Sequence, residues 1–380
     1  MNTQDIELRL INSDIDELRS VITAGIDHRL SGYLGLVLFP TICFVTEESH
    51  NYLASRNIKN NSSSLFGSYK IAIKKSRALL KLFNDTDGGK SGLLKSFNLF
   101  QEKSSLWMNA GKSGFKGYIS KLLQPDIGIY FLDEDPIYMT IVGFSVTGRV
   151  KNEIESLAED DFESIPQQAK SFGIAIGEYF AAIEGLMSLY GISRNCVFPV
   201  TIPSDLNITH NDFYSKKLYK RIASQASLKD TNIAPILFFI LTQVNIAYTL
   251  IPRLLPSDSN LLVRIQFLTA FHATNSLLEI QNTLDDEFAS LFSNENILTK
   301  IPNVTKVRNV LAHYGLGEGK KYVVSNSDAL DDVIKGLSGM SKLDLAKISI
   351  NQLHKISTWT QNKYSKTHLK NIRALFGNHT

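Results

Sequence analysis

Val307-Arg308-Asn309-Val310-Leu311-Ala312-His313-Tyr314-Gly315 is the stretch on which the reading of this chain turns. An α-helix rotates about 100° per residue, so with Arg308 at 0° Asn309 falls near 100° and His313 near 140°. Val307, Val310, Leu311 and Tyr314 then gather on the other side, between roughly 200° and 300°. The spacing predicts an amphipathic helix over 303–314 with an aliphatic ridge behind and a guanidinium, an amide and an imidazole in front. Pro302 sits where a first-turn proline is tolerated and Gly315 where a capping glycine is expected. Ala312 leaves room before the three polar groups, a surface suited to phosphate.

The rest of the composition sets bounds. At 380 residues the chain is long enough for two domains, and 43% hydrophobic with 20% charged residues describes an ordinary chain able to bury a core. Cys43 and Cys196 are far apart and lack neighbours at metal-ligand spacing, which argues against a disulfide framework or a zinc site and fits a reducing cytoplasm. No cofactor is expected. Met1 to Asp5 lacks the basic start and apolar run of a signal peptide. The most apolar segment, Ile233 to Leu255, is interrupted by Pro235, Gln243, Asn245 and Pro252 and reads as a buried helix, with no membrane partner.

The net charge of +3 hides a block pattern. Residues 70–121 hold eleven Lys and Arg against Asp85, Asp87 and Glu102; residues 122–170 hold ten acids against three cations; the last stretch, from Gly339, is basic again. Two basic blocks around an acidic one suit a polyanionic partner, or else face one another as compensating surfaces.

The pattern of elements predicts an α+β protein. Residues 1–200 read as a mixed α/β domain for sensing or substrate positioning: a helix over Ile6–Ile22, a buried strand over Gly35–Val45, a polar loop over 57–64, and a helix over Leu65–Phe83 whose exposed side carries Lys70, Lys74, Lys75, Arg77 and Lys81. A β-hairpin follows, Ile127–Leu132 and Ile137–Val146 around Asp133-Glu134-Asp135-Pro136, then a helix over Gln167–Tyr190. The extended run Val197–Pro203 marks the boundary. Residues 205–370 read as an antiparallel helical bundle, with helices over 211–226, 232–254, 258–284, 303–314, 328–337 and 343–364, and 371–380 as a basic tail.

Arg308, Asn309 and His313, in the order R-N-x-x-x-H on a late helix of a small bundle, resemble the R-x4-6-H signature of the HEPN superfamily, which includes toxin, CRISPR-associated and phage-defence ribonucleases. The resemblance covers roughly residues 205–370. It implies an all-helical fold there, a metal-independent endoribonuclease acting on single-stranded RNA, and a composite site across a homodimer that leaves a 2′,3′-cyclic phosphate. A toxin or antiviral-defence effector of this kind is restrained by an inhibitory partner or released by a trigger molecule. The residue types agree. Histidine can act as base or acid near neutral pH, and arginine offers a fixed fork of donors to phosphate oxygens. Asn309 could orient His313, its i+4 neighbour, or bond a phosphate oxygen. The alternatives are a non-catalytic HEPN-like adaptor that binds RNA or protein, and an ordinary solvated polar face.

Supporting residues are sought on the helix 258–284, where Asn275 and Glu279 are i,i+4 neighbours; pairing within the bundle is the other reading. Tyr314 could meet a base, although it lies on the apolar arc. Lys320 and Lys321 follow the motif in a glycine-rich loop, and Lys112 and Lys116 lie among Trp107, Phe115 and Tyr118; both sets are RNA-binding candidates. Neither Gly319-Lys320-Lys321 nor Gly89-Lys90-Ser91 completes a phosphate-binding Walker loop, since Tyr314 and Asn84 stand where its first glycine belongs.

Overall fold

The structure, a computed structural model, describes residues 3–27, 31–58, 65, 68–82, 94, 127–140, 164–192, 200, 202–225, 228, 230–284, 296–315 and 328–364. It is mostly helical with one small antiparallel sheet, compatible with the α+β class.

The first helices are α1 (Thr3–Asp27), α2 (Ser31–Val37), α3 (Phe39–Ser55) and α4 (Lys70–Leu80). The strand expected over Gly35–Val45 is therefore helical. An apolar run without alternation fits a buried helix as well as a strand. Pro40, which counts against a helix interior, lies in the first turn of α3, where a missing N–H costs nothing.

The expected hairpin forms with β1 (Ile127–Leu132) and β2 (Asp135–Met139) joined through Asp133 and Glu134, and residues 141–146 of the expected second strand lie outside the described residues. Both of these turn residues have positive φ, 49° and 79°, as a two-residue hairpin turn requires. Pro136 is tolerated because β2 is an edge strand in the order β2-β1-β3. Helix α5 (Ser164–Leu189) follows.

The segment after the expected boundary is not all helix. β3 (Ile208–Phe213) pairs antiparallel with β1, Ile127 opposite Phe213 and Leu132 opposite Ile208, so the sheet joins strands from both sides of residue 200. Gly128 is required in that pairing, because a Cβ there would lie 2.6 Å from His210 Nε2 and 2.8 Å from Thr140 Cγ2.

Beyond β3 come α6 (Ser215–Gln225), α7 (Ala234–Asn245), α8 (Ile251–Leu254), α9 (Asn260–Glu279), α10 (Ile297–Lys300), α11 (Val304–Ala312), α12 (Ala329–Ser338) and α13 (Lys342–Tyr364). A π turn over Ile246–Leu250 links α7 to α8. The span Ala234–Leu254 is apolar enough to cross a membrane, with mean hydropathy 1.8, but 83% of it is buried inside the protein. It is a core helix, as expected. Lys170–Leu189 on α5 passes the same length and hydropathy test with 33% buried.

α9 organises the bundle. Residues from Leu261 to Leu277 are buried nearly all round it, against α1, α7, α11 and α13. Each large apolar side chain buried there contributes about 1.5–3 kcal/mol. Its N-terminus is capped twice. Ser259 Oγ accepts from Leu262 N at 2.9 Å, and the buried Glu17 carboxylate of α1 accepts from Leu261 N at 3.1 Å and from the Ser259 hydroxyl. A carboxylate at a helix start complements the positive end of the helix dipole. Thus α1, from the beginning of the chain, is built into the same core as the helices of the second half.

Candidate functional site

α11 is shorter than the expected 303–314 helix. Asn303, its N-cap, is left-handed at φ 52°, and the helix ends at Ala312. His313 is extended, with φ −134° and ψ 147°, although its N–H still donates to Asn309 O at 3.0 Å. Val307, Val310 and Leu311 bury the aliphatic ridge as expected.

The cause of the break at His313 is its neighbour. Tyr314 is buried, its hydroxyl donates to Asp14 Oδ2 at 2.7 Å, and the Arg264 guanidinium stacks over its ring at 4.2 Å. Arg264 also pairs with Asp14, so α1, α9 and the chain after α11 meet in one buried polar knot. Burial raises the Asp14 carboxyl above its ordinary range, with the Arg264 charge and the bonds from Tyr314 and Arg264 acting the other way. Burial, and then the Asp14 charge, raise the Tyr314 phenol well above its ordinary range. Tyr314 is therefore an anchor in the core and is not placed to meet a base.

With Tyr314 pinned inward, His313 turns outward and towards α3. Its Nδ1 lies 2.7 Å from Glu48 Oε2. Glu48 is 3% exposed and His313 45%, so the ring bridges an interior carboxylate and solvent. Arg77 of α4, 14% exposed, pairs with the other Glu48 oxygen and lies 3.5 Å from Glu47. Burial raises the Glu47 carboxyl, opposed by Arg77 and reinforced by Glu48. Because a carboxylate only accepts, the His313–Glu48 contact calls for a ring proton on Nδ1, so in the neutral form of the ring Nε2 is the basic nitrogen.

Arg308 and Asn309 lie on the outer side of α11. Arg308 donates from a terminal guanidinium nitrogen to Asn309 Oδ1 at 3.1 Å. The Asn309 side chain thus holds the arginine, while its backbone carbonyl receives His313. Asn275 does not support His313: its amide donates to Phe271 O at 3.1 Å within α9. Glu279 is exposed at the end of α9, and the carboxylate that meets His313 is Glu48. Lys112, Lys116, Lys320, Lys321 and the basic tail 371–380 lie outside the described residues.

Sequence reasoning misses Glu48 because the run before it reads as a strand. The signal available is Glu47-Glu48 ending an otherwise uncharged apolar segment, since carboxylates so placed need partners. Among the described residues, no group of three or more His, Cys, Asp or Glu is placed to hold a metal ion.

Comparisons of the chain with protein-family models, with curated proteins and with solved structures gave no match.

Proposed function

We propose that the chain is an endoribonuclease that cleaves single-stranded RNA without a metal, through Arg308 and His313 of two copies of the chain, in the manner of the HEPN enzymes its motif resembles. The observation that carries this reading is the His313–Glu48 pair: an imidazole with one nitrogen fixed by a buried carboxylate and the ring still open to solvent. Carboxylate–imidazole pairing selects the tautomer and steadies the imidazolium formed during proton transfer.

In the proposed reaction, Nε2 of one His313 takes the proton of the 2′-hydroxyl. The O2′–P bond forms as the P–O5′ bond breaks. The His313 of the second copy, protonated, gives its proton to O5′, leaving a 2′,3′-cyclic phosphate and a 5′-hydroxyl. One imidazole cannot fill both roles in the same step, which is why the reading requires a homodimer. Arg308 stabilises the charge that develops on the non-bridging oxygens, with Asn309 keeping its fork aligned. Such an activity suits a cytoplasmic toxin or antiviral-defence effector held in check by an inhibitor or released by a trigger.

The test is end-group analysis of single-stranded RNA incubated with the protein in EDTA. The proposal expects 2′,3′-cyclic phosphate and 5′-hydroxyl ends. Salt-sensitive RNA binding with no cleavage at any protein concentration would favour the non-catalytic adaptor instead.

A further inference from the structure

One row of cations has no part in the reading above. Along α4 and its C-cap, Lys70, Lys74, Arg77 and Lys81 recur at i, i+4, i+7 and i+11. At about 100° per residue they fall within an arc of roughly 60°, opposite the buried Ala72, Ser76 and Leu79. Lys70 and Lys74 are exposed, and α4 itself carries no acid. From Lys70 to Lys81 the row runs about 16 Å, with neighbouring charges about 5–6 Å apart.

The row does not lie on a remote face. α4 packs along α3, and Arg77 reaches from the row to Glu48, the carboxylate that holds His313. The remaining cations bracket the same turn of α3. Lys74 and Lys81 both act on Glu47, and Lys70 adds to the burial that lowers the His50 imidazole. Glu47 and Glu48 are the only acids on α3, so the four cations outnumber the carboxylates they face.

We propose that the α4 row, Lys70, Lys74 and Lys81 continuing from Arg77, is the track along which the phosphodiester backbone of single-stranded RNA is led to His313. The inference rests on the phosphodiester reading of the His313 site. A regular line of cations joined through Arg77 and Glu48 to a proton-handling imidazole matches a regular polyanion, whereas an acidic protein surface would not require the even spacing. The row's length of about 16 Å corresponds to about four or five phosphates of a stacked strand. Lysine suits a track, being a mobile point charge that holds phosphate without reading bases, while Arg77 is committed to Glu48.

The experiment uses the full chain and a fluorescent 2′-O-methyl single-stranded RNA, which binds but offers no 2′-hydroxyl to attack. Its affinity is followed by anisotropy across a salt series. Lys70→Ala/Lys74→Ala removes two exposed charges from a helix that tolerates alanine. It should weaken binding about tenfold and lower the slope of log K against log salt by about 1.4, at about 0.7 per phosphate contact. Lys216→Ala, exposed on α6 and outside both basic blocks, should change neither. Unaltered affinity and slope in the double variant would overturn the track, as would displacement of the RNA by polyglutamate of equal charge. Loss of binding in the double variant, found in a protein whose wild type leaves unmodified RNA intact, would uphold the track and remove the nuclease. Cleavage that ignores both lysines would do the reverse.

Discussion

His313 Nδ1 and Glu48 Oε2 lie 2.7 Å apart across 265 residues of sequence, joining the end of α11 to the middle of α3. Glu48 is held in turn by Arg77, so the orientation of one imidazole depends on three separate helices.

Glu48 should accordingly matter to the proposed reaction without touching RNA. Glu48→Gln keeps the shape but loses the charge and the strict acceptor, so both the tautomer and the stabilisation of the imidazolium suffer. The expected result is a fall in kcat of about 10²-fold or more with KM little altered, within the range general acid–base groups contribute. Steady-state cleavage kinetics check this. A Glu48→Gln enzyme at full rate would show that the carboxylate is only structural.

Because the proposed reaction uses one His313 as base and the other as acid, a single defective chain should silence its partner. Mixing wild type with His313→Ala chains and allowing exchange leaves one imidazole in each mixed dimer. Cleavage should then fall as the square of the wild-type fraction. Analytical ultracentrifugation of the same samples establishes the dimer. Activity that falls only in proportion to the wild-type fraction despite exchange would argue for a site within one chain.

The knot beneath His313 should be expensive to break. Asp14, Arg264 and Tyr314 are buried together, and removing one member leaves an uncompensated group. Asp14→Ala is expected to lower stability by about 3–5 kcal/mol, since Arg264 would remain buried and charged. Tyr314→Phe removes only a hydrogen bond to that carboxylate and should cost about 1–3 kcal/mol. Urea denaturation gives both values, and the milder variant should still lose cleavage rate if Tyr314 sets the backbone of His313.

Much of the candidate site can be read in the sequence, and what cannot has identifiable causes. The ridge Val307, Val310 and Leu311 follows local periodicity, and the structure buries it. The extended conformation of His313 depends on Tyr314 bonding to Asp14, 300 residues earlier, which no local window contains. Glu48 stays hidden because Gly35–Val45 is apolar without period, so strand and helix are equally compatible with it. Periodicity alone gives the end of β3 to the next helix, since Ile208–Phe213 is a strand through its pairing with β1. The bulk of α9 and the core span Ala234–Leu254 are legible, their length and apolarity being properties of the segments themselves.

Glu17 gives the fold a pH dependence of definite sign. Burial, with the Asp14 charge adding, pushes its carboxyl from 4.5 up to about 7, against the bonds from Ser259, Leu261 and Ser13. Between these values the folded chain holds a proton that the unfolded chain has released, so stability falls as pH rises from about 4.5 to about 7. The full effect is about 3 kcal/mol at most, and Asp14, also raised, adds in the same direction. Glu17→Gln, which keeps acceptors for Leu261 N and Ser259, should flatten the curve. Denaturation midpoints through that pH window would contradict this if the curves of wild type and the Glu17→Gln variant ran parallel.

The most direct measurement is the single-turnover cleavage rate of one labelled single-stranded RNA in EDTA by wild type, Arg308→Ala and His313→Ala, with circular dichroism confirming that all three are folded. We expect cleavage by wild type and a loss of at least about 10²-fold in each variant, as removal of an acid–base or charge-stabilising group produces. Equal cleavage by all three folded proteins would contradict the assignment of the site, and so would a wild type that leaves the RNA whole.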